Sequence, residues 1–367
     1  MGLRILGALV AVILVSFAVA RYRRALLTRA EILMICPLVV ALIVAAISPQ
    51  VFDAVLSPLG LQPGSQRRLI GVLVLAVVFL LLLILWGFTK MGRLSQELAD
   101  HVDSAALRRF EQEHAGAFAG ACAVIIPAFN EAENLPHVLG AMPATVRGMP
   151  VKTVVVADGC SDGTELAARE MKALVIERDV RRGQGASVRL GYVAALRNSA
   201  RYIVTMDADG QHDPREMHAL LDPLMDGTAE MVQGSRVLGT SKVESVSRAR
   251  GVRIFAQVLT RLGDVRITDP SNGYRAVLPE VLKRLDLRQD QFFVSEIIMD
   301  VLQKGVRLVE VPVTVHQRRH GTTKKGDTFR YGWGFTRTMG LTWLRHRVGR
   351  RSRTLQPRWL AQQVDDL

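Results

Sequence analysis

A mainly parallel α/β sheet with flanking helices, preceded by a membrane-spanning N-terminal region, is the fold class this chain predicts. Two observations carry it. From Cys122 onward, short apolar runs alternate with helix-like segments, the pattern of strands joined by crossover helices. Before residue 90 the chain carries three long apolar runs, at 3–20, 32–47 and 69–86. A length of 367 residues suits one large domain with an accessory region.

Each of the three runs approaches the roughly 20 residues that span a hydrocarbon core. Pro37 interrupts the second run, which a membrane helix tolerates. Ala18-Val19-Ala20 has the form of a signal-peptidase site, but Arg21, Arg23 and Arg24 follow at once, and a retained span is the better reading. Those arginines and Arg29 place the first loop in the cytoplasm. The nearly uncharged 48–66 loop then falls outside, with Arg67 and Arg68 at its end a mild contradiction. Everything after residue 90 returns to the cytoplasm. The expected location is therefore the plasma membrane, multi-pass, with the large domain cytoplasmic. Residues 91–120 read as a polar, partly amphipathic linker helix, with Leu94, Leu98 and Val102 among its apolar positions.

The formal net charge is +13, which admits anionic membrane or nucleic acid as a partner. Nucleic acid leaves the apolar runs unexplained, so none is expected. Cys36, Cys122 and Cys160 are scattered and odd in number, which excludes a disulfide framework or zinc knuckle.

In the large domain, 123–126 is a strand ending in Pro127-Ala128-Phe129-Asn130-Glu131, with helix over 131–139. A second strand at 153–157 runs into Asp158 and a Gly/Ser turn, then a helix from Glu165. Strand 173–177 precedes the basic glycine turn Arg181-Arg182-Gly183-Gln184-Gly185 and a helix over 187–197. Strand 203–206 ends in Asp207-Ala208-Asp209-Gly210-Gln211. Side chains two apart share one side of an extended segment. Two carboxylates so placed repel unless a cation lies between them. A hard divalent ion shared with a diphosphate, Mn²⁺ or Mg²⁺, is the natural partner. Asp158 can accept hydrogen bonds from a base or ribose, and the basic turn offers N–H groups and arginines to phosphate.

The ordered motifs PAFNEAENL (127–135), ADGCSDGT (157–164), RRGQGAS (181–187) and DADGQHDP (207–214) resemble the inverting, metal-dependent glycosyltransferases of family 2. Later segments narrow the resemblance to polyprenyl- and dolichyl-phosphate sugar synthases: Gln233 to Arg236, Asp269 to Arg275, and Arg318 to Lys324. It covers roughly 121 to 330, with a GT-A domain expected over 121–328. The three-span module resembles one found fused to such enzymes. Two places depart: Ser271-Asn272-Gly273-Tyr274 stands where Ser-Gly-Phe is common, and Thr323 where Ser is usual.

The resemblance implies inverting transfer of a hexose from a GDP- or UDP-sugar to a polyprenyl phosphate. It implies metal binding by Asp207, Asp209 and Gln211, and catalytic roles for Asp209, Arg236, Asp269 and Lys324. Donor contacts are expected from Pro127, Phe129, Asn130, Glu131, Asp158, Arg182, Gly183, Asp207, Ala208 and Glu296. The acceptor phosphate is expected at Arg236, Arg318, Thr323 and Lys324. Residues 329–367, with aromatics up to Trp343 and a run of arginines, suit a basic amphipathic interfacial helix and tail on the lipid bilayer. An oligomer is compatible with the sequence. The competing readings are transfer to a non-lipid acceptor, a nucleotidyltransferase, and an inactive membrane scaffold.

Overall fold

The computed structural model describes residues 65–242, 255–257, 259–261, 265–290, 293–321, 334 and 336–343, with side chains from residue 76 onward apart from 77, 78, 81, 82 and 85. The chain divides into two compact units, Met1–Gln96 and Glu97–Leu367. The first two expected spans lie outside the described residues. The third falls in helix α1 (Ser65–His114). Among the described residues, no helix is long and apolar enough to cross a membrane.

In the second unit an eight-stranded sheet carries the site. Its strands are β1 (Cys122–Ala128), β2 (Thr145–Val146), β3 (Met149–Asp158), β4 (Leu174–Arg178), β5 (Tyr202–Thr205), β6 (Met231–Ser241), β7 (Arg275–Val277) and β8 (Leu308–Val315). The order is β2-β3-β1-β5-β7-β6-β8, with β4 beside β3. Pairs β1–β3, β1–β5, β3–β4 and β6–β8 are parallel. Pairs β2–β3, β5–β7 and β6–β7 are antiparallel, so the sheet is mixed rather than mainly parallel. The reversal comes from β7, three residues long, whose direction is set by its partners rather than by a local pattern.

Helices α2 (Leu135–Gly140), α3 (Thr164–Glu170), α4 (Gln184–Arg197), α5 (Met217–Met225), α6 (Pro279–Leu282) and α7 (Phe293–Gln303) connect the strands. Alternate side chains of each strand feed two cores. Ile125, Val156 and Ile203 pack with α4 and α7 on one face. Val124, Val155 and Val204 pack with α2 and α5 on the other. Helix α4 comes so close to β1 that a Cβ on Gly191 would collide with Ile125. Helix α2 begins at Leu135, not at Glu131, with Pro136 in its first turn, where the missing N–H costs nothing.

The end of α1 is no plain linker. Ala106, Leu107 and Phe110 are buried in the first core, and Phe110 stacks on Phe118 with ring centroids 6.1 Å apart. Of the apolar positions picked from sequence, Leu94 is 57% and Leu98 62% exposed, and Val102 is half-buried. Near the other end of the chain, Met339 is buried in that same core and Trp343 packs against it. Residues 329–333, 335 and 344–367 of the expected interfacial segment lie outside the described residues.

Candidate functional site

Strand direction gathers the motifs. The C-terminal ends of β1, β3, β4 and β5 share one rim because these strands are parallel. β7 runs antiparallel to β5, so its N-terminal approach, Ser271 to Tyr274, begins at that rim. β6 and β8 run antiparallel to β7 and head the same way; Arg236 stands midway along β6 and Arg318 just past the end of β8. Such a rim is where open α/β sheets hold ligands.

Asp207 and Asp209 stand past the end of β5. Gln184 donates from Nε2 to Asp207 Oδ1 at 2.7 Å, and His212 Nε2 lies 3.8 Å from Asp207 Oδ2. Burial, and then the charge of Asp207, push the Asp209 carboxyl above its ordinary range; His212 and Arg318 pull it back. Among the described residues, no group of three or more His, Cys, Asp or Glu is assembled for a metal ion. A divalent ion bound through one or two carboxylates and completed by substrate phosphates fits the pair nonetheless. Gln211 donates its backbone N–H to Asp209 Oδ1 at 3.1 Å, but its side-chain amide donates to the His316 carbonyl at 3.1 Å.

Asp158 is buried at the end of β3, and its oxygens accept the backbone N–H groups of Arg182 at 2.8 Å and Gly183 at 2.6 Å. The carboxylate expected to meet a base or ribose thus holds the basic turn. Gly183 has φ +98°, a conformation glycine adopts at no steric cost. Arg182 is turned inward, its side chain 9% exposed. It donates to Asp103 of α1 at 2.7 Å. Arg178, fully buried, donates to the other Asp103 oxygen at 3.2 Å and to Ser187 Oγ at 2.7 Å. Burial raises the Asp103 carboxyl against the pull of Arg178, Arg182 and Arg189. Arg181, not Arg182, lies over the Phe129 ring, 3.8 Å from its centroid.

After β1, Pro127 and Ala128 are buried within the strand and Asn130 sits at φ +52°. Its Oδ1 accepts the Ser161 N–H at 2.9 Å. Glu131 donates its own N–H to Thr164 Oγ1 at 2.9 Å, and its carboxylate pairs with Arg318 and accepts from Asn134 Nδ2 at 2.7 Å. Arg318 also lies 3.9 Å from Asp209 Oδ2, which joins the β1 and β8 ends to the carboxylate pair. Ala208 is buried between the two aspartates.

Arg236 donates to both oxygens of the fully buried Asp269, at 2.6 and 3.2 Å, and to Ser271 Oγ at 3.0 Å. Asp269 is itself seated by Glu310 of β8, which accepts its N–H at 2.9 Å and that of Thr268 at 2.7 Å. Burial raises the Glu310 carboxyl. Glu296 is fully buried in the first turn of α7 and accepts the N–H groups of Arg288 and Gln289 at 2.9 and 2.8 Å. It braces the 288–290 turn, whose Asp290 carbonyl accepts the Gly185 N–H at 2.8 Å. Its placement behind that turn is a different task from the sugar contact expected. Thr323 and Lys324 lie outside the described residues.

The structure therefore brings together Phe129, Glu131, Asp158, Asp207, Asp209, Arg236, Asp269 and Arg318 at one rim. Sequence reasoning missed Asp103, Arg181, Gln184, His212 and Glu310. Arg181, Gln184 and His212 stood inside the quoted motifs; Asp103 and Glu310 had no local signal.

Residues 123–286 match the profile described as glycosyl transferase family 2. The chain is 32% identical over 216 residues to a polyprenol monophosphomannose synthase of Mycolicibacterium smegmatis, an alignment covering 55% of this chain and 79% of that protein. It is 32% identical over 213 residues to an undecaprenyl-phosphate mannosyltransferase of Micrococcus luteus, covering 54% and 85%. A dolichol-phosphate mannosyltransferase of Pyrococcus furiosus is 32% identical over 219 residues, covering 56% and 59%. Among solved structures, glucosyl-3-phosphoglycerate synthase of Mycobacterium tuberculosis with Mn²⁺, uridine diphosphate and phosphoglyceric acid aligns with a TM-score of 0.48 at 20% identity, covering 65% of this chain and 81% of that one.

Proposed function

The chain belongs to glycosyl transferase family 2 and is a glycosyltransferase, and from that premise we propose that it moves a hexose from a nucleotide sugar to a polyprenyl phosphate at the cytoplasmic face of the membrane. Its α/β sheet is the GT-A-like fold expected of the family. The observation that carries the reading is the rim itself: two carboxylates, Asp207 and Asp209, stand with the Arg318 guanidinium 3.9 Å from Asp209, and Arg236 is held on Asp269 and Ser271 in the segment that leads into β7. Opposite charges gathered there suit a reaction between two phosphate-bearing substrates. The polyprenyl acceptor is supported by the names of the relatives and by the apolar N-terminal runs.

In this reading the acceptor phosphate attacks the anomeric carbon as the bond to the nucleotide diphosphate breaks. An α-linked donor gives a β-linked product. The acceptor oxygen is already ionised at neutral pH, so no general base is required. The burden lies on the leaving diphosphate. A divalent ion held by Asp207 and Asp209 would supply charge stabilisation there. Arg236, locked by Asp269 and Ser271, presents an oriented guanidinium to phosphate, and Arg318 does the same from β8. Phe129 beneath Arg181 forms a flat face beside the end of β1 that suits a nucleobase. Asp158 serves by fixing the N–H groups of the loop below the diphosphate.

The test is transfer by the detergent-purified full chain with Mn²⁺ or Mg²⁺, polyprenyl phosphate and a panel of labelled GDP- and UDP-sugars. A labelled, mild-acid-labile lipid that disappears with EDTA is expected, and Asp209→Ala lowers its formation by about 10²-fold or more. No lipid product from any donor, with nucleotide binding unchanged in Asp209→Ala, favours the inactive scaffold instead.

A further inference from the structure

Helix α1 and the donor loop are separated by 79 residues in sequence, yet they share a buried charge cluster. Asp103 and Asp158 supply two carboxylates; Arg178 and Arg182 supply two guanidinium groups. Asp158 holds the loop by its backbone N–H groups, and Asp103 holds it by the Arg182 side chain. The next residue but one, Gln184, reaches Asp207 at 2.7 Å. A continuous path therefore runs from α1 through Arg182 and Gly183 to Gln184 and the Asp207 carboxylate.

Docking of α1 does not depend on Asp103. Phe110 and Leu107 bury the helix in the core, Glu111 pairs with Arg197 at 3.4 Å, and Asn198 Oδ1 accepts the Gly116 N–H at 2.7 Å. These links lie beside the C-terminal end of α4, whereas Asp103 faces its N-terminal end. An aspartate in a buried helix face carries a large desolvation cost that an apolar residue would avoid. What the carboxylate adds is direction: it turns Arg182 away from the rim and fixes the turn that leads into α4.

We propose that Asp103 is a positioning residue for the donor loop: by holding the Arg182 side chain inward, helix α1 fixes the path of the 182–184 turn, and so the placement of Gln184 at Asp207, for nucleotide-diphosphate binding. The inference rests on the glycosyl-transfer reading for its substrate, and on the hydrogen bonds alone for its geometry. Two readouts separate the two. Amide hydrogen exchange over 179–190 reports the loop without turnover; the donor KM reports its consequence.

In the full-length chain, Asp103→Asn is expected to speed exchange of the Arg182 and Gly183 amides and to raise the donor KM about tenfold, with a smaller fall in kcat. Protection in β1 and β5 should stay at the wild-type level, as a sign of an intact sheet. Asp103→Glu keeps the charge and lengthens the arm, so it should fall between wild type and Asp103→Asn in both readouts. It also carries the test should Asp103→Asn not fold. Faster loop exchange in an Asp103→Asn chain whose wild type transfers no sugar supports the clamp and sinks the transfer reading. Unchanged loop exchange, or a kcat that falls with donor KM unchanged while protection is lost throughout the sheet, overturns the clamp.

Discussion

At the scale of single residues, Gly273 limits how the carboxylate pair is built. A Cβ at that position would stand 2.8 and 3.0 Å from the two carboxylate oxygens of Asp207. Gly273→Ala should therefore push the Asp207 side chain aside and cost about 10²-fold in transfer, the order expected of a misplacement near 1 Å. Thermal unfolding should shift little, because the displaced group is a half-exposed side chain rather than core. A large drop in Tm with undiminished turnover would assign the glycine to folding instead. Which site residues were legible follows the range of their signals. Asp207, Asp209 and Asp158 announced themselves because an apolar run ends in a carboxylate within a few positions. The bracing role of Glu296 was not legible, since its partners Arg288 and Gln289 are eight and seven residues upstream and invisible as a motif. Arg182 was read as a phosphate arginine because nothing local reveals the distant Asp103.

At the scale of elements, strands β1, β3, β4 and β5 were readable as buried apolar runs closed by turns. β7 was not, because three residues give no period; nor was the sheet's reversal, which arises when β7 pairs antiparallel with both β5 and β6. The short helical turn Pro214–Glu216 shows local chemistry that works regardless of such pairing. Asp213 is its N-cap and accepts the Arg215 N–H at 2.9 Å. The hydrogen bond from the Arg215 side chain, with help from the backbone N–H, holds the Asp213 carboxyl below its ordinary range. A depressed carboxyl stabilises fully above the unfolded-state pKa, and the benefit is lost as pH falls through the folded-state value. Asp213→Ala should cost about 1 kcal/mol at neutral pH, as lost caps do. The gap between variant and wild type in denaturant melts should close as the solution is acidified past the carboxylate range. A gap that stays constant with pH would assign the loss to packing.

At the scale of the whole molecule, the membrane reading meets its own test. Three apolar runs predict that high salt and alkaline carbonate leave the chain in the membrane pellet, whereas a chain held only by its +13 charge would be released by salt. The division of the chain was legible in part. Composition separates the apolar first ninety residues from the rest, but the division between the two compact units at Gln96 falls inside a continuous helix, where no turn marks it. That boundary bears on how such proteins are rearranged. The family match begins at residue 123, while the core and the loop clamp draw on residues back to Asp103. A graft of this catalytic unit onto another anchor, cut where the family match starts, would strand Arg178 and Arg182 without their carboxylate and open the space left by Leu107 and Phe110. Exchange of anchors between such chains has to carry the last turns of α1 along with the sheet, so the transferable cassette begins in the middle of a helix.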